Sequence, residues 1–401
     1  MPDPNIKDRV ISLGPGLAAI PERLLLAHAR GEVLFIAGAG ISRPANLPDF
    51  RELVLAVYAD LDTATHAVMS RIPRTACNNW DTDLSGLNNL QSAEVRRFIV
   101  GDYDVVLGLL ERRMDGQDSG SGSVRNTIAN KLRPAGVRPA PIHRSLMRLA
   151  DRGGVQTIVT TNFDLLLEVA ARGSRPPVQS YALGGIPRPG RRMSFAGVLH
   201  IHGALEPDPA RISDLVVSDQ DFGEFYLRRR TVPDFIYDAA RLFHLVLVGY
   251  SANDPPMRYL LNAVAADGTR FDDLRERFTF VGANAPDPIG LEDWKGRGIT
   301  PISYNVENEH SALSNTLDRW ARLSAINGKR KFVDAAVKRI VKSARATSSD
   351  ADRDLFDHLF RRSDTNERVR LAAVASRNKA DLGWLDAISA TAAESDQERR
   401  R

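Results

Sequence analysis

Val33-Leu-Phe-Ile-Ala-Gly-Ala-Gly-Ile-Ser42 carries five apolar residues straight into a glycine-flanked turn. A run of that length, apolar on both faces, predicts a strand covered by helices on each side. Gly38 and Gly40 would let the backbone come close to a pyrophosphate, with amide groups aimed at its oxygens. The usual dinucleotide fingerprint needs a third glycine, and Arg43 stands at that spacing. Alone, the segment fits a plain strand-to-helix turn as well as a nucleotide loop.

Four more strand-sized runs follow: Gln156–Thr160, Val198–Ile201, Leu245–Gly249 and Phe278–Gly282. Alternating with helical stretches, they predict an α/β protein with a Rossmann-like parallel sheet. Between the first two strands, residues 52–150 read mostly as helix and form a helical insertion. Glu94–Met114 and Ile142–Leu149 have the clearest helical spacing, and Asp118–Ser123 reads as a loop. The sheet domain with its insertion is assigned to residues 1–310 and a C-terminal helical region to 311–401. Within that region Asp364–Val374 and Leu382–Ala390 have a faint HEAT-type pattern, for which an ordinary helical hairpin is the simpler reading.

Composition narrows the chemistry. Of 401 residues 43% are hydrophobic, enough for a sizeable core. Cys77 is the only cysteine, which excludes an internal disulfide and a cysteine-rich zinc site within one chain. No apolar run is long enough to span a membrane, and the N-terminus lacks a signal pattern, so a cytoplasmic protein without membrane contact is expected. Residues 321–401 hold 18 Lys and Arg against 12 Asp and Glu, leaving 36 against 38 elsewhere. The net charge of +4 therefore lies in the tail. A solvated helical face explains it, and contact with nucleic acid or an acidic partner is the alternative.

Four segments carry chemistry. Gly38-Ala-Gly-Ile-Ser-Arg-Pro-Ala-Asn-Leu-Pro-Asp-Phe-Arg51 resembles the sirtuin NAD-binding loop, with Asn46 where the family has glycine. Asparagine is the best non-glycine residue for a positive φ. The resemblance implies that Gly38, Ala39, Gly40, Ser42, Asp49, Phe50 and Arg51 serve the cofactor pocket. Thr160-Thr-Asn-Phe-Asp164 is similar to the sirtuin Thr-Gln-Asn-x-Asp motif, with Thr161 for glutamine. There Asn162 would order a water or a ribose hydroxyl, and Asp164 would recognise the nicotinamide carboxamide; helix capping is the plainer use of both. In Leu199-His-Ile-His-Gly203, two histidines spaced by two would share one face of a strand. A metal pair would need further ligands, and none has convincing spacing. By resemblance His202, followed by glycine, is the base, with His200 behind it. Leu245-Val-Leu-Val-Gly-Tyr-Ser-Ala-Asn-Asp254 resembles the Gly-x-Ser-x-x-Asp form of bacterial sirtuin-like proteins, and places Gly249, Ser251 and Asp254 on the cofactor, with Asn284 further on.

The resemblance implies NAD as substrate and, with one cysteine in place of a four-cysteine module, no zinc. Water then replaces acyl-lysine as acceptor, and the expected activity is an NAD glycohydrolase yielding nicotinamide and ADP-ribose, with cyclisation as a variant. The rivals are an NAD- or ADP-ribose-binding regulatory subunit and a zinc-free deacylase. Sirtuin-like domains of this kind resemble NAD-depleting effectors of bacterial anti-phage defence. That analogy implies a homo-oligomer or a regulatory partner, such as a hexameric DNA-translocase-type ATPase or a short Argonaute.

Overall fold

The computed structural model describes residues 9–76, 78–116, 122–133, 135–190, 195–206, 212, 214–250, 261, 274–283 and 288–399. The chain forms two compact units, one of Met1–Leu34, Ser145–Gln156 and Phe278–Arg401, the other of Phe35–Arg144 and Thr157–Arg277. Its strands are β1 (Val10–Ser12), β2 (Ala19–Pro21), β3 (Val33–Ala37), β4 (Thr157–Thr160), β5 (Ser180–Ala182), β6 (Gly197–His200), β7 (His244–Val248), β8 (Arg277–Ala283) and β9 (Ile299–Asn305).

The second unit holds the α/β sheet segment in the order β5-β6-β4-β3-β7. β3 pairs with β4, β4 with β6 and β6 with β5, all parallel, with Ala37 opposite Thr160 and Thr160 opposite His200. Every residue of β3, β4 and β6 is buried, as the apolar runs require of strands covered on both faces. The register brings the last residues of these strands to one edge. β3 lies between β4, which follows it, and the much later β7, so the strand order reverses at β3. The crevice at such a reversal, beyond the strand ends, is where ligands of open α/β sheets bind.

Six helices lie between β3 and β4: Phe50–Leu61, Thr63–Met69, Asn89–Val100, Tyr103–Asp115, Ser123–Lys131 and Pro141–Leu149. The expected single helix Glu94–Met114 is two, because Gly101 ends the first with φ 85°. That conformation costs glycine nothing. The first five close around Leu53, Val57, Tyr58, Phe98, Leu107 and Ile128, and the same core takes in Leu205, Leu215 and Val217 from beyond β6. Arg125, 4% exposed, ties the two parts with bonds to Glu111 at 2.6 Å, Leu215 O at 2.6 Å and Asp221 at 2.9 Å. The insertion thereby holds the chain that follows His202.

The first unit contains the antiparallel pair β1–β2, neighbouring strands β8 and β9, and the C-terminal helices. Regular helix resumes at Ser311, as the sequence indicates: in the element Glu307–Leu323, Asn308, Glu309 and His310 are left-handed. Helices Arg330–Ile340, Asp350–Arg361, Thr365–Arg377 and Leu382–Arg399 complete it. Trp384 packs on Phe356 with ring centroids 4.5 Å apart. Buried Glu22 accepts bonds from His358 and Arg361, which hold its carboxyl below the usual range against the opposing pull of burial. Among the described residues no helix is long and apolar enough to cross a membrane.

Candidate functional site

The glycine turn after β3 is spent on packing. A Cβ on Gly38 would meet Gly249 O at 2.7 Å, one on Gly40 the same oxygen at 2.8 Å, and one on Gly249 Ile41 N at 2.6 Å. Gly249 itself has φ 64°. The amides of Gly38 and Gly40 donate to Val248 O and Gly249 O, and those of Ile41 and Ser42 to Gly38 O and Ala39 O. The close approach these glycines permit is thus loop against loop, where the sequence led us to expect open amides facing a phosphate. Two single turns follow, Ala39–Ile41 and Arg43–Ala45, before helix Phe50–Leu61 begins. Asn46 ends the second with φ 62°, as its identity predicts.

Ser42 is the centre of a buried polar group. Its hydroxyl donates to Asp164 Oδ2 at 2.8 Å and accepts from Asn162 Nδ2 at 3.1 Å. His143 Nε2 lies 3.4 Å from the same oxygen. Because His143 Nδ1 accepts from Ala140 N at 3.2 Å, its proton sits on Nε2, facing Ser42. Burial pushes the His143 pKa down, with the Asp164 charge opposing. Asp164 Oδ1 accepts from Leu166 N, so this carboxylate also stabilises the start of helix Leu166–Ala170. Asn162 is 8% exposed, yet its Oδ1 has no hydrogen-bond partner among the described residues. A buried orphan acceptor costs roughly 1–3 kcal/mol unless something outside the chain fills it. Thr161 stands beside it, its amide donating to Ala37 O at 3.1 Å.

His200 and His202 do not share a strand face. β6 ends at His200, and His202 stands in the turn beyond it, with Gly203 at φ 92°. His200 Nδ1 donates to Asn162 O at 2.8 Å, and Nε2 to Glu168 Oε1 at 2.7 Å, so the ring is held in its charged form. Burial works against that charge, but the Glu168 bond and carboxylate outweigh it and the His200 pKa rises. His202 Nε2 meets the Tyr226 hydroxyl at 2.7 Å, and Phe222 stands edge-on to the ring at 5.4 Å. Burial alone drives the His202 pKa down to about 3. Tyr226 lies in a π-helical turn, Gly223–Arg228, that continues helix Asp219–Phe222. Ile201 N donates to Thr160 O and Leu205 N to Phe163 O, so the His202 loop runs beside the Asn162 loop.

The site residues expected from sequence divide into three groups. Ser42, Asn162 and Asp164 come together, with Gly38, Ala39, Gly40, Thr161 and Gly249 in the adjoining loops and His202 on the neighbouring one. Asp49, Phe50 and Arg51 serve the insertion. Asp49 caps helix Phe50–Leu61 and pairs with Arg43 and Arg74. Phe50 packs on Tyr103 at 5.9 Å, and Arg51 lies over Phe98 at 4.9 Å. Ser251, Asp254 and Asn284 lie outside the described residues, as does Cys77. The sequence reading missed three contributors: His143, taken only as part of a helix, Glu168 and Tyr226. Nothing local marks them. Among the described residues no group of three or more His, Cys, Asp or Glu is placed to hold a metal ion.

The fold and site define an α/β protein with a polar centre at the reversal of its strand order. Within it, residues 156–302 match the model of the SIR2-like domain. That span takes in Asn162, Asp164, His200, His202 and Gly249, and leaves out the Val33–Arg51 segment. The chain is 34% identical over 324 residues to "Uncharacterized protein y4cA" of Sinorhizobium fredii, across 79% of this chain and 24% of that protein. It therefore spans about a quarter of that relative's length. A solved chain described as "Structural Basis for the Mechanism and Regulation of Sir2 Enzymes" aligns at 15% identity, over 75% of this chain and 97% of its own, with a TM-score of 0.35.

Proposed function

We propose that this chain binds NAD through its SIR2-like region and hydrolyses it at the nicotinamide–ribose bond. The observation that carries the reading is the unfilled Asn162 Oδ1, buried at the strand-order reversal and held in orientation by Ser42. NAD brings a scissile bond with a good cationic leaving group. The SIR2-like match over residues 156–302 supports NAD as the ligand class.

In this reading Ser42 fixes the Asn162 amide so that Oδ1 faces outward and accepts a hydrogen bond from water or a ribose hydroxyl. His200 anchors the same residue by its carbonyl. His202, neutral through burial, has a lone pair to accept the proton that water loses as its oxygen bonds to the ribose carbon. Asp164 keeps a lone pair on each oxygen for a carboxamide N–H. The balance is NAD and water to nicotinamide, ADP-ribose and one proton. Positioning supplies most of the rate.

The same reading assigns residues 1–310 to the catalytic region and 311–401 to a regulatory helical region. Such an activity drains a shared cofactor and has to be restrained, which favours an oligomer or regulatory partner and a defence role; this step rests on the sirtuin-like analogy. The test is nicotinamide release from NAD by the purified chain beside Asn162→Ala and His202→Ala. Each variant is expected to lose about 10²–10⁴ of the rate. Release that both variants retain refutes the assignment, and release that requires an acylated peptide favours a deacylase.

A further inference from the structure

A cavity of about 710 Å³ opens in the second unit, lined from the Leu183–Pro189 loop and the start of helix Thr231–Leu242. Ligand sites for small molecules occupy roughly 300–1,000 Å³. None of Ser42, Asn162, Asp164 or Gly249 lines it; its one residue from the histidine loop is Ile201.

Three observations bear on what it holds. First, Arg188, Arg229, Arg230 and Arg241 line it against Asp234 and Asp238, a net excess of two positive charges. The pairs Arg229–Glu224 and Arg230–Asp234 engage arginines more than half exposed, and exposed pairs of this kind are worth only about 0–1 kcal/mol. An anion can recruit them cheaply. Second, the twelve-residue helix Thr231–Leu242 starts at the cavity with no side-chain cap, so its positive dipole end meets the same space, with Thr231 and Val232 in the lining and Pro233 lacking an amide hydrogen. Third, two lining residues that are not glycine have left-handed backbones, Leu183 with φ 42° and Arg230 with φ 53°. Such strain costs on the order of 1–3 kcal/mol per residue and gathers at ligand clamps. Val232 and Phe235 add an apolar wall beside the cationic one.

We propose that this cleft binds a phosphate-bearing small molecule of nucleotide size, at a site separate from the Ser42–Asn162 centre. Guanidinium forks and the positive end of the helix match phosphate oxygens, and the apolar wall accommodates a flat base. Ile201, between His200 and His202, places the ligand against the histidine loop. The inference does not depend on NAD hydrolysis.

The probe is ADP, with binding followed by calorimetry on the whole chain. The wild type is expected to bind it, and Arg188→Glu combined with Arg230→Glu to weaken binding by about tenfold or more, through loss of two charge-assisted contacts. Lys295→Glu, a charge reversal at an exposed lysine outside the cleft, is expected to leave binding within about twofold. Hydrogen exchange of residues 183–190 and 229–241 should slow with ADP in both the wild type and Lys295→Glu. Both arginines are at the surface, and circular dichroism checks that the variant is folded. The proposal is overturned if ADP does not bind at millimolar concentration. It is equally overturned if the arginine variant binds ADP at wild-type strength, or if exchange in those two segments is unchanged by ADP.

Discussion

Removing His200 should strip the site of its internal anchor, and the size of the loss follows from two bonds. The ring is fully buried and donates to Glu168 at 2.7 Å and to Asn162 O at 2.8 Å, while Glu168 is 18% exposed. His200→Ala leaves the Asn162 carbonyl without its donor and the Glu168 carboxylate with only the Ser180 hydroxyl, at 2.8 Å, in place of a charged partner. Breaking a buried pair by deleting one partner costs about 3–5 kcal/mol. Water reaching the partly exposed Glu168 moves the expectation toward the lower figure, about 3 kcal/mol. Urea unfolding of the wild type, His200→Ala, Glu168→Gln and the double variant measures the coupling, expected at about 2 kcal/mol. The pH dependence has a defined sign. His200 is raised above its ordinary 6.5, so its contribution is complete below that value and is lost as pH rises through the folded pKa. Glu168 is lowered below its ordinary 4.5, so its contribution is complete above that value and is lost as pH falls through the folded pKa. The pair is therefore strongest between 4.5 and 6.5. A coupling indistinguishable from zero at pH 6, or one that grows on going to pH 9, would refute the reasoning.

Arg125→Met should strand Glu111 and Asp221 in the core that joins the insertion to the chain after His202, and lower stability by about 3–5 kcal/mol, read from the urea midpoint. An unchanged midpoint would show that the buried charges are dispensable. Gly249→Ala should destabilise by about 1–3 kcal/mol, because the new Cβ meets Ile41 N at 2.6 Å at a residue with φ 64°; thermal melting checks it, and a wild-type melting temperature would count against the loop packing. If His202 is the proton acceptor and its ring stays buried during turnover, nicotinamide release should show no acid limb near pH 6.5, because burial pushes its pKa down to about 3. An acid limb at 6.5 that disappears in His202→Gln would show instead that the ring titrates near its ordinary value and is not held down by burial.

The sheet was legible because β3, β4, β6, β7 and β8 are apolar runs that a local window detects, and the structure places each within a residue of its expected bounds. β5 and β9 were not. Ser180-Tyr-Ala182 is three residues long and half polar, and Ile299–Asn305 has exposed and half-buried positions along its length, so neither stands out from loop. Ser42, Asn162 and Asp164 were singled out by the resemblance of their segments to sirtuin motifs, and the structure brings the three together. His143 and Tyr226 were not, since they reach the site from helices distant in sequence, and Glu168, in the helix directly after Asp164, meets His200 through a contact that periodicity does not encode. Gly38 and Gly40 carry a further requirement that the sequence does not show. A glycine states that backbone must come close to something, and only the fold shows that the something is Gly249.

The two histidines are driven to opposite charge states within three residues. His200 gains Glu168 and a carbonyl, groups that reward a second proton, while His202 gains a phenol and an aromatic edge, which offer no charge to offset burial. Neighbouring titratable groups pushed apart in this way commonly mark a division of labour at a reactive centre. A charged His200 holds Asn162 but has no lone pair left to take a proton; a neutral His202 has one. The environments of both rings therefore favour His202 over His200 as acceptor in the proposed reaction. It also brings a cost, because a base with a pKa near 3 is a weak one. Exchanging the Tyr226 contact for a polar ligand, or admitting water to the loop, would lift that pKa toward the working range.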